Sequence, residues 1–422
     1  MTTTDQPGKQ TAPEIALLSL ESYRGGHPID QLMWLQENDP VHWHEEPGDG
    51  PGFWALTRYD HIKQVQGNAK LFRNFPTVTV PDGTGVGDGE NYCHLIMTDP
   101  PMHPIRRRHL APELLPAAVR DMTERVEGIV TGILDDVCEA GECDLVTDIA
   151  GKVAAYATAD LMGVPRQDMV EMYEIADRIV NAESVTSGDG LAASLELNEY
   201  SQAAWDDRHA NPRDDLVTRY AFAVVNGREQ DYPQFAIDFM LIFTAAGDTS
   251  RNAIAGGVEA LFEYPDQHEL MRTDSAVIPS AVEEILRWTT PVVYMRRTAV
   301  EDTVIGGQAI KAGDKVANFF PAGNRDPRFF PDPLRFDVAR TPNNHLTFGF
   351  GPHFCLGAHL ARLEMRVLFR ELMKRMPDME RAGETRWYRE DIQYAPIVVG
   401  PHHIPVRFTP SARAGTGSSF AI

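Results

Sequence analysis

The chain reads F-G-F-G-P-H-F-C-L-G over residues 348–357, and this segment carries its strongest chemical signal. Three glycines allow a tightly bent backbone that can approach a flat ligand closely. Cys355 falls at the mouth of a following helix, where amide N–H groups and the positive end of the helix dipole favour the thiolate. That helix places Leu360, Leu363, Val367 and Leu368 on one face. A thiolate in a glycine loop under an apolar pocket suits a soft, flat metal cofactor better than it suits hydrolysis.

Other residue types that could do chemistry make weaker patterns. Cys93, Cys138 and Cys143 are scattered and form no C-x-x-C pair, so zinc-ribbon, thioredoxin and disulfide-framework readings fail. There is no G-x-S-x-G elbow and no phosphate-binding G-x-x-x-x-G-K-[ST] loop. The glycine run at 83–89 lacks the helix start a dinucleotide fold needs and reads as a mobile loop. His42 and His44 share a strand face without a third ligand nearby, which reads as a surface strand. Glu284 and Arg287 lie on one helical face; taken alone they are a commonplace surface pair. Asp248 and Thr249, taken alone, are a polar interruption in an apolar helix.

The elements that must position these groups are mostly helical. The spacing predicts helices over much of 102–288, with stops at 163–165 and 211–212 and a long helix at about 233–264. A last helix is predicted from near Cys355 to about 376. Short apolar runs at 41–44 and 53–56 flank a Pro/Gly/acidic turn and predict a hairpin. Further strands are expected at 297–320 and 392–408. The fold class is mainly α with a smaller β portion. No repeat or long linker divides the 422 residues, so a single domain is expected over 13–408, with flexible ends at 1–12 and 409–422.

Composition narrows the function classes. Hydrophobic residues make 43% of the chain and charged residues 24%, which places it among ordinary globular proteins. With 39 basic and 61 acidic residues, the net charge of −22 excludes a general nucleic-acid binder. The polar N-terminus is unlike a signal peptide, and the apolar stretch at 235–247 carries Asp238 and is too short for a membrane span. The expected setting is cytoplasmic, with no membrane and no nucleic acid as partner.

The loop around Cys355 resembles the cysteine-ligand loop of the cytochrome P-450 haem-thiolate monooxygenases; six fixed positions would match by chance about once in 10^8 windows. Further segments agree. E-x-x-R at Glu284 and Arg287, with D-P-L-R-F downstream, is similar to the family's buried Glu–Arg–Arg network, in which Arg335 would be the third member. A-A-G-D-T-S at 245–250 resembles the family's A-G-x-[DE]-T-[ST], with Ala246 where glycine is usual and Gly247 one place later. D-P-P-M-H-P-I-R-R-R at 99–108 resembles D-P-P-x-H-x-x-x-R-R. N-R-D-P at 324–327 matches a family stretch for which the sequence suggests no chemical role.

The resemblance implies a P-450 fold with a single haem-binding domain, haem b as cofactor, and Cys355 as axial ligand of the iron, whose electron donation favours O–O cleavage. It implies that Asp248 and Thr249 deliver protons during dioxygen activation, in a stretch where the helix opens. His103, Arg107, Arg297 and His353 would neutralise the haem carboxylates. Leu241, Ile242, Ala245, Val293, Tyr294 and Met295 would wall the substrate pocket, although plain core fits them equally. The implied activity is hydroxylation of an apolar small molecule with O2, and P-V-V-Y-M-R-R-T at 291–298 resembles members acting on sterol side chains, branched lipids and terpenoids. No flavin or iron–sulfur segment is visible, so electrons are expected from a ferredoxin and an NAD(P)H-dependent ferredoxin reductase. The donor would meet a local basic patch of Arg106, Arg108, Arg362 and Arg366. Two alternatives stay open: a haem-thiolate peroxygenase or isomerase that does not use O2, and a non-enzymatic helical haem- or ligand-binding protein.

Overall fold

The computed structural model describes residues 12–46, 50–80, 92–180, 188–387 and 397–415. The glycine run at 83–89 lies outside them, as do most of the two ends expected to be flexible. Helices dominate, and we label only the elements that carry the argument: α1 (Tyr59–Gly67), α2 (Met102–Leu110), α3 (Leu216–Ala221), α4 (Tyr232–Glu263), α5 (Ile278–Thr289) and α6 (Ala358–Arg375). The predicted stops act as expected. Helix Gly151–Met162 ends on Gly163 in the left-handed conformation, and helix Gly188–Ala210 ends just before Asn211-Pro212. Two short strand pieces that the helical pattern hid, Glu142–Asp144 and the hairpin Val224–Val225/Arg228–Glu229, interrupt this region.

The main sheet has five strands: β1 (Val41–His44), β2 (Phe53–Leu56), β3 (Phe72–Arg73), β4 (Tyr294–Ala299) and β5 (Lys315–Phe319). Their order is β1-β2-β5-β4-β3, with β2 and β5 parallel and the other pairs antiparallel. The expected hairpin is thus present, and His44 Nε2 accepts the Leu17 N–H rather than pointing to a metal. Toward the C-terminus, part of the expected strand region lies outside the described residues; Pro405–Arg407 is a strand, and Val398 bridges to Val292.

The long helix α4 is the axis of the molecule. Its middle and C-terminal turns sit in one core cluster with α5, α6 and helix Thr123–Val137; its N-terminal turns sit in a second with helices Gly151–Met162 and Arg166–Val180. Glycines at 256 and 257 allow close contact: a Cβ on Gly257 would lie 2.6 Å from the Ile285 side chain of α5 and 2.9 Å from Phe369 of α6. This packing fixes the helix that carries Asp248 and Thr249 against the two helices that flank the cysteine loop. No helix among the described residues is long and apolar enough to cross a membrane.

Candidate functional site

The cysteine loop is a backbone construction. Gly349 N–H donates to Leu346 O at 2.8 Å, Phe354 N–H to Gly351 O at 3.0 Å and Cys355 N–H to Phe348 O at 2.8 Å, closing a tight bend. Gly349 and Gly351 both have positive φ (71° and 76°). A Cβ on Gly351 would lie 2.6 Å from the carbonyl oxygen of Gln66, so the loop can pack on the end of α1 only with glycine there. Helix α6 begins at Ala358, three residues after the cysteine, and the N–H groups of Gly357 and Ala358 are directed at the sulfur. Cys355 is surrounded by protein yet retains accessible surface. Burial pushes its thiol up; the two amides and the Arg107 and Arg362 charges oppose that without overcoming it. The local groups therefore favour the thiolate as expected, but they do not by themselves offset the desolvation.

Around this loop four basic side chains converge from three elements. Arg107 of α2 donates to Phe354 O at 2.6 Å, next to the cysteine. The rings of His103, one turn earlier on α2, and His353 lie 3.8 Å apart, centroid to centroid. Arg297 of β4 donates to Gln66 Oε1 at 2.9 Å and is buried. Burial and mutual repulsion push His103 down to about 4 and His353 down to about 2, and burial lowers Arg297 to about 10. Asp99 acts on Arg297 from a distance, but its oxygens accept the N–H groups of Asn74 and Phe75. None of the four forms an ion pair among the described residues, and His353 Nε2 is buried without a partner. Two guanidinium groups and two imidazole donors with no acid paired to them, beside an accessible cysteine, fit a flat metal cofactor that carries carboxylates.

On α4, Thr249 Oγ donates to Ala245 O at 2.9 Å, and the carboxylate of Asp248 is ion-paired to Arg251 one turn on. Helix α4 runs unbroken from Tyr232 to Glu263, so the opening expected at this stretch is not a break in the helix. Although most of α4 is buried, Leu241, Ile242, Ala245 and Thr249 are not, and Ala245 is exposed in mid-helix. Their spacing of four places Leu241, Ala245 and Thr249 on one stripe, of which Leu241 packs against the second core cluster while Ala245 and Thr249 belong to neither. Next to Thr249, Ser250 donates to Glu364 of α6. Glu364 is fully buried, its second carboxylate oxygen has no partner, and burial raises it to about 8. Sequence reasoning passed over Glu364 because a glutamate in an amphipathic helix looks like a solvated residue.

The bracing network is also present, with one correction. Glu284 and Arg287 are fully buried and doubly bonded, at 2.7 and 2.8 Å. The second guanidinium on Glu284 belongs to Arg340, at 3.1 and 3.2 Å, and not to Arg335. Arg335 is exposed and offers only its backbone carbonyl, to Arg287 and Arg340. The chain turns back after Phe336, so a residue four places beyond the motif reaches the carboxylate. The N-R-D-P stretch, left without a role by the sequence, has a structural one. Asn324 accepts the Leu346 N–H at 2.6 Å and donates to Thr290 and Thr347 at 2.9 Å, while its carbonyl accepts from Arg287 at 2.9 Å. It ties the end of α5 to the entrance of the cysteine loop.

Two further expectations are corrected. Val293 and Tyr294 belong to a core cluster with Leu17, Tyr23 and Phe319, and the Tyr294 hydroxyl accepts the Val80 N–H; of the β4 candidates only Met295, packed against the Val78–Cys93–Met97 cluster, faces elsewhere. Arg106 is buried and ion-paired to Asp238 at 2.5 Å, so it is not part of a surface patch. Residues 397–399, within the stretch expected as a strand, hydrogen-bond along Pro291 and Val293 beside β4.

The family described as Cytochrome P450 matches residues 263–376. A steroid C26-monooxygenase of Mycolicibacterium smegmatis is 31% identical over 407 residues, covering 95% of this chain and 98% of that protein. A methyl-branched lipid omega-hydroxylase of Mycobacterium tuberculosis is 37% identical over 343 residues, covering 78% and 79%. Among solved structures, a cytochrome P450 of Mycobacterium marinum in complex with pseudoionone superposes with a TM-score of 0.82 at 31% identity, over 90% of this chain and 94% of that one.

Proposed function

Because this chain belongs to the cytochrome P450 family it is a haem-thiolate monooxygenase, and we propose that it hydroxylates an apolar, branched molecule of the sterol, methyl-branched lipid or terpenoid class. The relatives named for a steroid and a branched lipid, and the neighbour holding pseudoionone, support that substrate class. Residues 13–408 would form the catalytic domain. The single observation that carries the site assignment is the cysteine loop: a cysteine that keeps some exposed surface, its sulfur under two amides, flanked by four basic side chains that lack an acid.

Cys355 Sγ would ligate the iron of haem b. His103, Arg107, Arg297 and His353 would donate to its carboxylates, which would give His353 Nε2 a partner and Arg297 a counter-charge. When bound, haem supplies the oxygen-activating chemistry. The chain supplies the rest. The stripe Leu241, Ile242 and Ala245, with Met295 opposite, would hold the substrate and exclude water. Thr249 holds a proton on its hydroxyl, donated to Ala245 O, and can release it by rotating off that carbonyl. Asp248, one residue earlier and held against the helix by Arg251, is the carboxylate nearest in sequence to resupply it.

P450 monooxygenases draw on O2 and a redox partner. The donor proposed here is a ferredoxin served by an NAD(P)H-dependent ferredoxin reductase. With Arg106 buried, its footing narrows to exposed Arg108 and half-exposed Arg366, the latter 3.6 Å from Glu283. Arg362 is held by Glu283 at 2.8 Å and lies over the Phe348 ring.

The test is spectroscopic first. Reduced wild type with carbon monoxide should show the long-wavelength Soret band of a thiolate-ligated haem, and Cys355→Ser should lose it. Reconstitution with a ferredoxin, its reductase and pseudoionone, cholesterol or a methyl-branched fatty acid under 18O2 should then yield a product one labelled oxygen heavier. Haem uptake without the thiolate band would overturn the ligand assignment. A chain that binds none of the three probes would overturn the substrate class.

A further inference from the structure

Away from the cysteine loop and the Glu284 network, Asp238, near the start of α4, is a buried carboxylate with both oxygens bonded, and it is 0% exposed. Its Oδ1 accepts the backbone N–H of Leu95 at 2.8 Å. Its Oδ2 accepts from Arg106 Nη2 at 2.5 Å, from Gln234 Nε2 at 3.0 Å and from the Tyr220 hydroxyl of α3. A carboxylate is the one side chain that can accept four such bonds while donating none. The partners lock the same segment a second time. Arg106 also donates to Cys93 O at 2.9 Å and to Thr98 Oγ1 at 2.6 Å, and Gln234 donates to Cys93 O at 3.2 Å. The His94 ring bonds the carbonyl of Ile237, the residue before Asp238. The Leu95 amide and the further bonds of Arg106, Gln234 and His94 all hold residues 93–98, while Tyr220 braces Asp238 itself.

That segment touches both sides of the proposed substrate pocket. Leu95 belongs to the cluster against which Leu241 and Ile242 of α4 pack. Cys93 and Met97 belong to the cluster against which Met295 of β4 packs. The same segment leads directly into α2, where Arg106 turns to Asp238 while its neighbour Arg107 turns to the cysteine loop. One short helix is thereby held between the oxygen-side helix and the sulfur-side loop.

We infer that Asp238 is a positioning residue for substrate specificity: through Arg106 and the Leu95 amide it sets how far residues 93–98 stand from α4, and so the size of substrate the pocket accepts. This rests on the assignment of a P450 pocket bounded by α4 and Met295. Residue types alone could not show it, because an aspartate in the most apolar stretch of the chain looks like an interruption of the helix.

The experiment uses the holoprotein and Asp238→Asn, which places an amide N–H where three donors converge. Amide hydrogen exchange should quicken at residues 93–98 by roughly tenfold or more, since a charge-assisted hydrogen bond is lost, while residues 346–358 keep wild-type protection. Spectral titrations with imidazole and 4-phenylimidazole then read the pocket. Imidazole affinity should stay close to wild type, while that of the larger azole should change by about tenfold. Tyr220→Phe removes a single donor and keeps the Asp238–Arg106 pair; it should move both readouts the same way by less, and it carries the test if Asp238→Asn does not fold. Unchanged exchange at 93–98 in the variants, or equal shifts for both azoles, would overturn the inference. Loss of the thiolate band in wild type would instead overturn the haem-thiolate reading, leaving the exchange result to decide the tether.

Discussion

Glu364→Gln offers a quantitative test of the contact between α4 and α6. The carboxyl is fully buried, faces the Ser250 hydroxyl, and is raised from 4.5 to about 8 by burial. A proton is therefore kept in the native state that the unfolded chain releases above about pH 4.5. Stability from this group is fully present below the unfolded value and is lost as pH rises through about 8. Each pH unit of separation is worth about 1.4 kcal/mol, so ionisation costs the folded state about 5 kcal/mol at alkaline pH. Roughly 4 kcal/mol of that falls between pH 5 and pH 9. Glutamine keeps the shape and removes the titration. Guanidinium unfolding of the holoprotein, followed by helix signal at pH 5, 7 and 9, should find the variant within about 1 kcal/mol of wild type at pH 5. At pH 9 the variant should be the more stable by several kcal/mol. Comparing the two proteins at each pH cancels the titrations they share. Parallel curves across the whole range would refute the claim that the carboxyl is buried and neutral.

Arg340→Met should destabilise by about 2 kcal/mol, because it strips one of two guanidinium groups from buried Glu284; Arg335→Met should stay within about 0.5 kcal/mol, and denaturation midpoints that rank the two the other way would restore Arg335 to the network. Thr249→Ala should retain haem and substrate binding but divert electrons from product to peroxide or water, measured as product formed per NAD(P)H consumed; full coupling would remove Thr249 from proton delivery. Ferredoxin-driven reduction of wild type should slow as salt rises, and Arg108→Glu or Arg366→Glu should slow it at low salt; rates indifferent to both would place electron entry on another face.

Much of the site was legible because it is local. The cysteine loop, the E-x-x-R turn and the Asp248–Thr249 pair are contiguous or one turn apart, so covalent connectivity alone puts their groups together. The bend at Gly349 and Gly351 belongs to the same class, since positive φ is a local backbone demand that glycine meets, whereas the approach of Gln66 to Gly351 is a tertiary contact. Long helices were legible too, since α4 and α6 repeat apolar residues at helical spacing over many turns. The strand pieces at 142–144 and 224–229 were hidden because two- and three-residue strands exist only through their partners.

What the residues alone determined, then, is chemistry that neighbours in the chain perform together: a glycine-bent cysteine at a helix mouth, a hydroxyl beside a carboxylate, an acidic surface. Tertiary structure alone decided partnerships across long stretches of chain. Arg340 rather than Arg335 reaches Glu284, Arg106 turns inward to Asp238, Glu364 is stripped of water by α4, and Val293 and Tyr294 are enclosed in one core cluster while Met295 is only half-buried against two others. The physical reason is the same in each case. A charged or apolar side chain reads identically in sequence whether it is solvated or enclosed, and enclosure depends on where distant segments pack, which no local spacing encodes.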